Sequence, residues 1–241
     1  MQTKLPLRRR IYMGTMRTLM FLSAGLTAAL VLFLIGYVLW KGAPNITWEL
    51  LSTAPSYLED RIGILPDILN TLYLVLATIL FVLPIGVCAA IYLNEYAANK
   101  KLVAAIEYAA ETLSGIPSII YGLVGMLVLV PGIRKLFHVP DGASLLAAII
   151  VLAIMILPSI IKVSVTALEA VPQAYEDASL ALGATPVETY FRVSVPAARS
   201  GIAAAVVLGV GRAIGEAMAV MMVSGNAPNM PTLMGSVRFL T

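Results

Sequence analysis

Between Gly201 and Gly225 an otherwise apolar stretch carries two charges, Arg212 and Glu216. A central arginine costs about 2.5–3.5 kcal/mol in a membrane helix on translocon scales, and a glutamate is also unfavourable there. Such residues need partners or a task. Four apart on a helix, the two can neutralise one another, although arginine before glutamate is the weaker order. Gly201, Ala205, Gly215 and Ala219 share the Arg212 face at three- and four-residue spacing, and small-residue faces meet neighbouring helices rather than lipid. The pair is therefore expected to point into a helix bundle. Two roles fit it. One is a salt bridge that only fixes helix packing. The other is an arginine contacting a passing oxyanion with its planar, permanently charged fork, while Glu216 keeps the site from trapping the anion.

The elements that would position these charges are membrane helices. Of 241 residues, 60% are hydrophobic and 12% charged, about half the charge of a soluble domain. The apolar residues form five blocks, roughly 19–40, 66–93, 106–131, 144–166 and 199–224. Each exceeds the ~30 Å of the hydrocarbon core at about 1.5 Å per residue. The first block is too long for a signal-peptide core and lacks a small-x-small cleavage site, so it reads as an anchor. Cys88, alone in the second block, is expected to be a small buried hydrophobe. Pro84, Pro117 and Pro158 lie well inside spans and predict kinks or breaks, which suit a cavity-lining transport protein.

Topology follows from Lys4, Arg8, Arg9, Arg10 and Arg17, which precede the first span without an intervening acid. They place the N-terminus in the cytoplasm. Alternation then puts Lys100, Lys101, Arg192 and Arg199 inside, and leaves fewer basic residues (Lys41, Arg61, Arg134, Lys135 and Arg238) outside. Tyr37, Trp40 and Trp48 fit an outer aromatic belt.

The one long cytoplasmic loop is 169–198, "EAVPQAYEDASLALGATPVETYFRVSVPAA". Pro172 suits a helix start, and a helix from Gln173 is expected to end near Gly183. Thr185, Pro186 and Glu188 predict a capping box on a second helix that stops before Pro196. The result is a rigid knob with Tyr175, Glu176 and Asp177 on its exposed side and Ala178, Leu180, Ala181 and Leu182 on its apolar side. An amphipathic loop lying on the bilayer is the alternative. Such helices favour Lys and Arg on the polar face, whereas this one is acidic, so docking to a protein partner is the better reading.

Several chemistries find no residues. There is no GxxxxGK[ST] phosphate loop, no GxSxG elbow and no His/Cys cluster; His138 reads as a solvated turn residue. No cofactor is expected, and the chain by itself is not expected to be an enzyme. A formal charge of +3, small and scattered, gives no nucleic-acid footprint.

"EDASLALGA" followed by "VSVP" resembles the EAA signature of membrane subunits of binding-protein-dependent ABC importers. The matching residues are Glu176, Asp177 (commonly Ala in the family), Ala178, Gly183, Val193, Val195 and Pro196. The resemblance implies that this loop, through Tyr175, Glu176, Asp177, Ala178, Gly183 and Pro196, inserts into a separate ATPase. With "ETLSGIPSIIYGLVG", "SLLAAIIVLAIMILPSI" and "GRAIGEAMAV", the chain from about Gly63 to Asn226 is similar to the phosphate-specific transport permeases, PstA and PstC. "GILPDILNTLYLVL" and "AIYLNEYA" favour PstA slightly, and "AMAVMMVSGN" leans to PstC.

That likeness implies an all-α polytopic bundle of the type I ABC importer (MetI-like) kind, with five spans present and a sixth missing. Residues 1–62 would hold the basic N-terminus, first span and outer loop, and 63–241 the importer transmembrane domain. It further implies a bacterial or archaeal plasma-membrane protein working with ATPase subunits, a second homologous permease and a phosphate-binding protein, within membrane lipid. Arg212 and Glu216 would lie in the substrate path. A permease for sulfate or molybdate shares these features, and a secondary transporter is the reading from another class.

Overall fold

The computed structural model describes residues 7–56, 61–97 and 99–240. The chain divides into two compact units, Met1–Thr53 and Ala54–Thr241. In the first unit, α1 (Leu7–Gly42) is one uninterrupted helix, and its apolar span has none of its residues buried. A short turn leads to α2 (Trp48–Ser52), where Thr47 accepts the Leu50 N–H at 3.2 Å as N-cap. Trp40 and Trp48 are both largely exposed.

The second unit is a helical bundle built around α7 (Leu145–Glu169). Leu145, Ala147, Ala148, Leu152, Ile156 and Ile160 of this helix are almost fully buried. Against them pack α3 (Leu65–Ile91) through Leu74, Val75 and Val82, and α12 (Met218–Ser224) through Ala219, Val220 and Val223. Between these lie α4 (Lys100–Gly115), α5 (Ser118–Val124) and α6 (Val130–Phe137), then α8 (Gln173–Ala181), α9 (Pro186–Thr189), α10 (Val195–Ala197) and α11 (Arg199–Gly215). The outward side chains of α3 and α11 are as apolar as its core: Leu72, Leu76, Leu80, Phe81, Val207 and Leu208 are all exposed. A bundle greasy on both faces belongs in lipid.

Four helical stretches are long and apolar enough to cross a membrane: Ile11–Asn45, Leu65–Tyr96, Ser118–Phe137 and Leu145–Glu169. A fifth is reached when Arg199–Gly215 is counted with the preceding Pro186–Ala197, from which it bends by 62°. Two of the expected blocks are corrected. The third crossing begins at Ser118 rather than near residue 106, because Pro117 closes α4 at Gly115 and starts a new helix. The fifth block is not continuous to 224: it breaks at Glu216, whose ψ of 101° is extended. Pro84 and Pro158, by contrast, sit inside helices that continue past them, so they do not break their spans. Cys88 is exposed on α3 rather than buried.

Small residues allow the closest approaches, as a bundle with no hydrophobic drive between helices requires. A Cβ on Gly122 would lie 2.8 Å from the Ala219 Cα, and one on Gly201 would collide with the Ala167 Cβ. Of the predicted small-residue face, Gly201, Ala205 and Ala219 are packed, but Gly215 is exposed at the helix end.

The segment after α12 straps the N-terminal ends of α7 and α3. Carbonyls of Leu233 and Gly235 accept from the N–H groups of Leu146 and Leu145 at 3.0 and 3.4 Å, and that of Val223, still within α12, accepts from the Ser144 N–H at 3.0 Å; a helix start leaves such groups without internal partners. Asn70 donates to the carbonyls of Asn229 and Arg238, both at 2.9 Å. The Arg238 guanidinium grips the buried Asp67 carboxylate through Nε and Nη2, at 2.8 to 3.1 Å. Asp67→Asn removes the charge from this two-pronged contact. The expected cost is about 1.5–3 kcal/mol, read as a lower thermal midpoint of the purified protein; an unchanged midpoint would show that the charge on Asp67 does not hold the strap.

Candidate functional site

The helical knob forms by local rules. The helix α8 ends in a Schellman motif: the Gly183 N–H bonds the Leu180 carbonyl at 3.0 Å and the Ala184 N–H bonds the Ser179 carbonyl at 3.3 Å. Gly183 takes a φ of +89° to do so, a conformation open to glycine at little cost. Two residues on, Thr185 and Glu188 form the predicted capping box, each accepting from the other's backbone N–H, at 3.3 and 3.1 Å. Ser179 and Thr189 hydroxyls, 2.8 Å apart, tie the two helices together.

The second helix does not stop before Pro196. It runs from Pro186 to Ala197 by widening at Tyr190–Ser194, where the Val195 N–H reaches back five residues to the Tyr190 carbonyl. The wider turn makes room for the proline ring that would otherwise clash with the carbonyl before it.

Of the residues singled out in the loop, Tyr175, Asp177, Ala178, Gly183 and Pro196 are exposed. Leu182 is 90% exposed, and Leu180, Val187 and Phe191 also project outward, so the knob presents an apolar surface edged by acid. Glu176 is the exception. It is half-buried and turned inward, accepting from the Ser194 hydroxyl at 2.7 Å. It braces the knob from within.

The knob is rooted by Tyr190, which sequence reading missed. Its ring is 1% exposed, packed with Ala90 and Ile91 of α3, Leu168 of α7 and Ala198. Its hydroxyl accepts from Asn94 at 2.9 Å, in the wide turn that prolongs α3. A partly apolar residue every three or four positions is too common a signal to have singled it out.

Gly183→Val puts a β-branched residue at positive φ, where about 1–2 kcal/mol of strain is expected, whereas Gly183→Asn tolerates that region. Open space surrounds the position, so the cost is conformational and not steric. In the purified protein, Val should lower the thermal midpoint and Asn should leave it nearly unchanged. Equal midpoints for the two variants would show that the positive φ at 183 is not needed.

At the other candidate position, Arg212 and Glu216 do not pair. Arg212 lies half-buried in the last turn of α11, beside that helix's unsatisfied carbonyls, which favour a cation. Its Nη1 donates to the Ser159 hydroxyl on α7 at 2.8 Å. Because α11 ends at Gly215, Glu216 leaves the helical path, and its Oε1 accepts from the Ala219 N–H at 3.1 Å. An orphan donor at the start of α12 takes the carboxylate that the arginine was expected to have. Tyr121, donating to the Leu113 carbonyl at 2.8 Å, lies within electrostatic reach of Arg212. The arrangement is a broken helix with a cation at the break, and among the described residues no carboxylate forms an ion pair with it.

Residues 82–239 match the family described as the binding-protein-dependent transport system inner membrane component. The chain belongs to this family. Among relatives of the permease, the probable ABC transporter permease protein YqgH of Bacillus subtilis is 40% identical over 189 residues, covering 78% of this chain and 59% of YqgH. The phosphate transport system permease protein PstC of Mesorhizobium japonicum is 36% identical over 236 residues, covering 85% and 71%. The chain thus spans about three-fifths of YqgH's length. The membrane subunit is also similar to a chain of the MetNI methionine ABC transporter in an inward-facing conformation. There the TM-score is 0.52 at 26% identity, covering 61% of this chain and 67% of that one. The expected MetI-like fold is therefore present, in a multi-pass inner-membrane permease.

Proposed function

We propose that this chain is a permease subunit of an ATP-driven phosphate importer and forms half of the translocation pathway. The observation that carries this reading is Arg212: a permanent cation, half-buried in an apolar bundle at a helix break, with no carboxylate among the described residues to neutralise it. Discontinuous helices and intramembrane charges mark substrate paths. PstC of Mesorhizobium japonicum gives the oxyanion its identity, and PstC relatives at 33–36% identity favour that subunit type over PstA, to which the sequence reading leaned slightly. The knob at 169–198 docks into a separate ATPase, which hydrolyses ATP; this chain does no chemistry itself. Tyr175, Asp177 and Ala178 contact the ATPase, Glu176 braces the knob from within, and Gly183 and Pro196 set its angle. Glu216 holds the break that leaves Arg212 at a helix end. The basic N-terminus lies in the cytoplasm, a second permease completes the pathway, and a phosphate-binding protein delivers substrate from outside.

The test is reconstitution of the permease pair with its ATPase and binding protein in liposomes, followed by uptake of radiolabelled phosphate. Uptake should require ATP and resist competition by sulfate and molybdate. Competition by either anion at equal concentration would replace phosphate with that anion, and uptake without the ATPase would make the protein a secondary transporter.

A further inference from the structure

We infer that Ser159 is a second ligand of the transported oxyanion, its hydroxyl and the Arg212 guanidinium forming one composite site across α7 and α11. This rests on the reading of Arg212 as an oxyanion contact and adds to it a residue from a different helix, 53 positions away.

Helical hydroxyls in this chain divide between those that bond back to their own helix and those that do not; Thr78 in α3 and Ser164 in α7 are buried without a partner among the described residues. Thr71, Thr112, Ser114 and Thr166 each fold back to donate to the carbonyl four residues earlier, at 2.7 to 3.0 Å, the usual recourse of a hydroxyl in an apolar helix. Ser159 does not. It accepts from Arg212 Nη1 at 2.8 Å, and among the described residues its own O–H has no acceptor. A serine hydroxyl offers one donor and two lone pairs, so one lone pair is in use and the donor is not.

Arg212 is in the same condition. A guanidinium carries five N–H donors in a fixed fork, and among the described residues one of them is engaged. No described carboxylate pairs with it, since Glu216 is committed to the Ala219 N–H. Both side chains are half-buried, where unspent donors are costly. The two groups, already in contact, therefore leave an O–H and the free edge of a charged fork within reach of one ligand. The ligand that satisfies a cation and several converging donors, and offers several acceptor oxygens in return, is a tetrahedral oxyanion. Ser159 also limits the rotation of the guanidinium, so the free edge is presented in a fixed direction. It holds the arginine and meets the anion with the same oxygen.

The experiment uses the complete transporter in liposomes with Ser159→Ala, Ser159→Thr, Arg212→Gln and the double variant Ser159→Ala/Arg212→Gln. Maximal uptake of labelled phosphate per assembled complex is compared with ATP hydrolysis stimulated by the loaded binding protein. Loss of one hydrogen bond to a charged group should lower uptake in Ser159→Ala about tenfold or more. Assembly and stimulated ATP hydrolysis should remain, because the knob and its docking surface are untouched. Ser159→Thr should restore uptake, and Ser159→Ala should add little to Arg212→Gln, since the two groups act on one ligand. Wild-type uptake by Ser159→Ala, failure of Thr to rescue, or a parallel fall in ATP hydrolysis would each overturn the inference. The same liposomes are tested with sulfate and molybdate. If the wild type carries one of those and not phosphate, the phosphate reading falls, while Ser159 is judged on the anion carried. If it carries none, both fall.

Discussion

Arg212→Gln should abolish phosphate uptake in a transporter that still assembles. Removing a partner from a half-buried charged contact costs about 2–5 kcal/mol, so a loss of at least about thirtyfold in the rate per assembled complex is expected. The structure makes this single variant informative. Had Glu216 been the partner of Arg212, glutamine would have stranded a buried carboxylate, and misfolding and lost substrate contact would look alike. Glu216 instead accepts from the Ala219 N–H and keeps that bond whatever stands at 212. Arg212→Lys should recover only part of the activity, because an ammonium keeps the charge but not the fork. Glu216→Gln retains an acceptor oxygen for Ala219 and should transport nearly as well as the wild type. The double variant Arg212→Gln/Glu216→Gln should therefore resemble Arg212→Gln. Near-native uptake by the double variant would end the substrate-path role of the arginine.

Tyr190→Ala should be the most damaging change at the root of the knob. The ring is buried among Ala90, Ile91, Leu168 and Ala198, and truncating a buried aromatic costs about 3–5 kcal/mol. The effect should exceed stability alone, because Tyr190 is where the knob touches both α3 and α7. Tyr190→Phe keeps the packing and loses only the bond from Asn94, a change of about 1 kcal/mol. The ordering to be measured is thermal midpoint and ATP-driven uptake, with Phe close to the wild type and Ala losing both. If Ala lowered the midpoint while uptake per folded complex stayed normal, Tyr190 would be packing only and the motion of the ATPase would reach the bundle elsewhere. Equal losses for Phe and Ala would place the whole effect in the hydroxyl.

These expectations separate what can be read locally from what cannot. The end of α8 at Gly183 and the capping box at Thr185–Glu188 depend on residues within four positions of one another, and both were legible in the chain before it was folded, as were three of the five apolar blocks. So was the position of Arg212 inside a bundle, since no lipid-facing site would tolerate it. The failures have the same origin in reverse. Arg212 and Glu216 are four apart and looked like a pair, but helical spacing puts two side chains together only while the helix lasts. Here it ends between them, at Gly215, where Glu216 finds an orphan N–H closer at hand. Glu176 looked exposed until Ser194, 18 residues on, folded back to meet it. Pro196 looked like a helix stop, and a widened turn upstream let the helix through.

The sequence by itself therefore determined where the apolar segments lie, though not where the third begins or that the fifth breaks at Glu216, and it determined where the knob forms and how it is capped, because hydrophobic transfer and helix ends are governed by neighbours along the chain. Only the tertiary structure decided who meets whom. Ser159 reaches Arg212 across 53 residues, Asn94 reaches Tyr190 across 96, and Arg238 grips Asp67 across 171. In an apolar bundle a polar side chain takes the nearest available donor or acceptor, and which one is nearest is set by the packing of helices through their small residues. That packing has no periodicity to announce it.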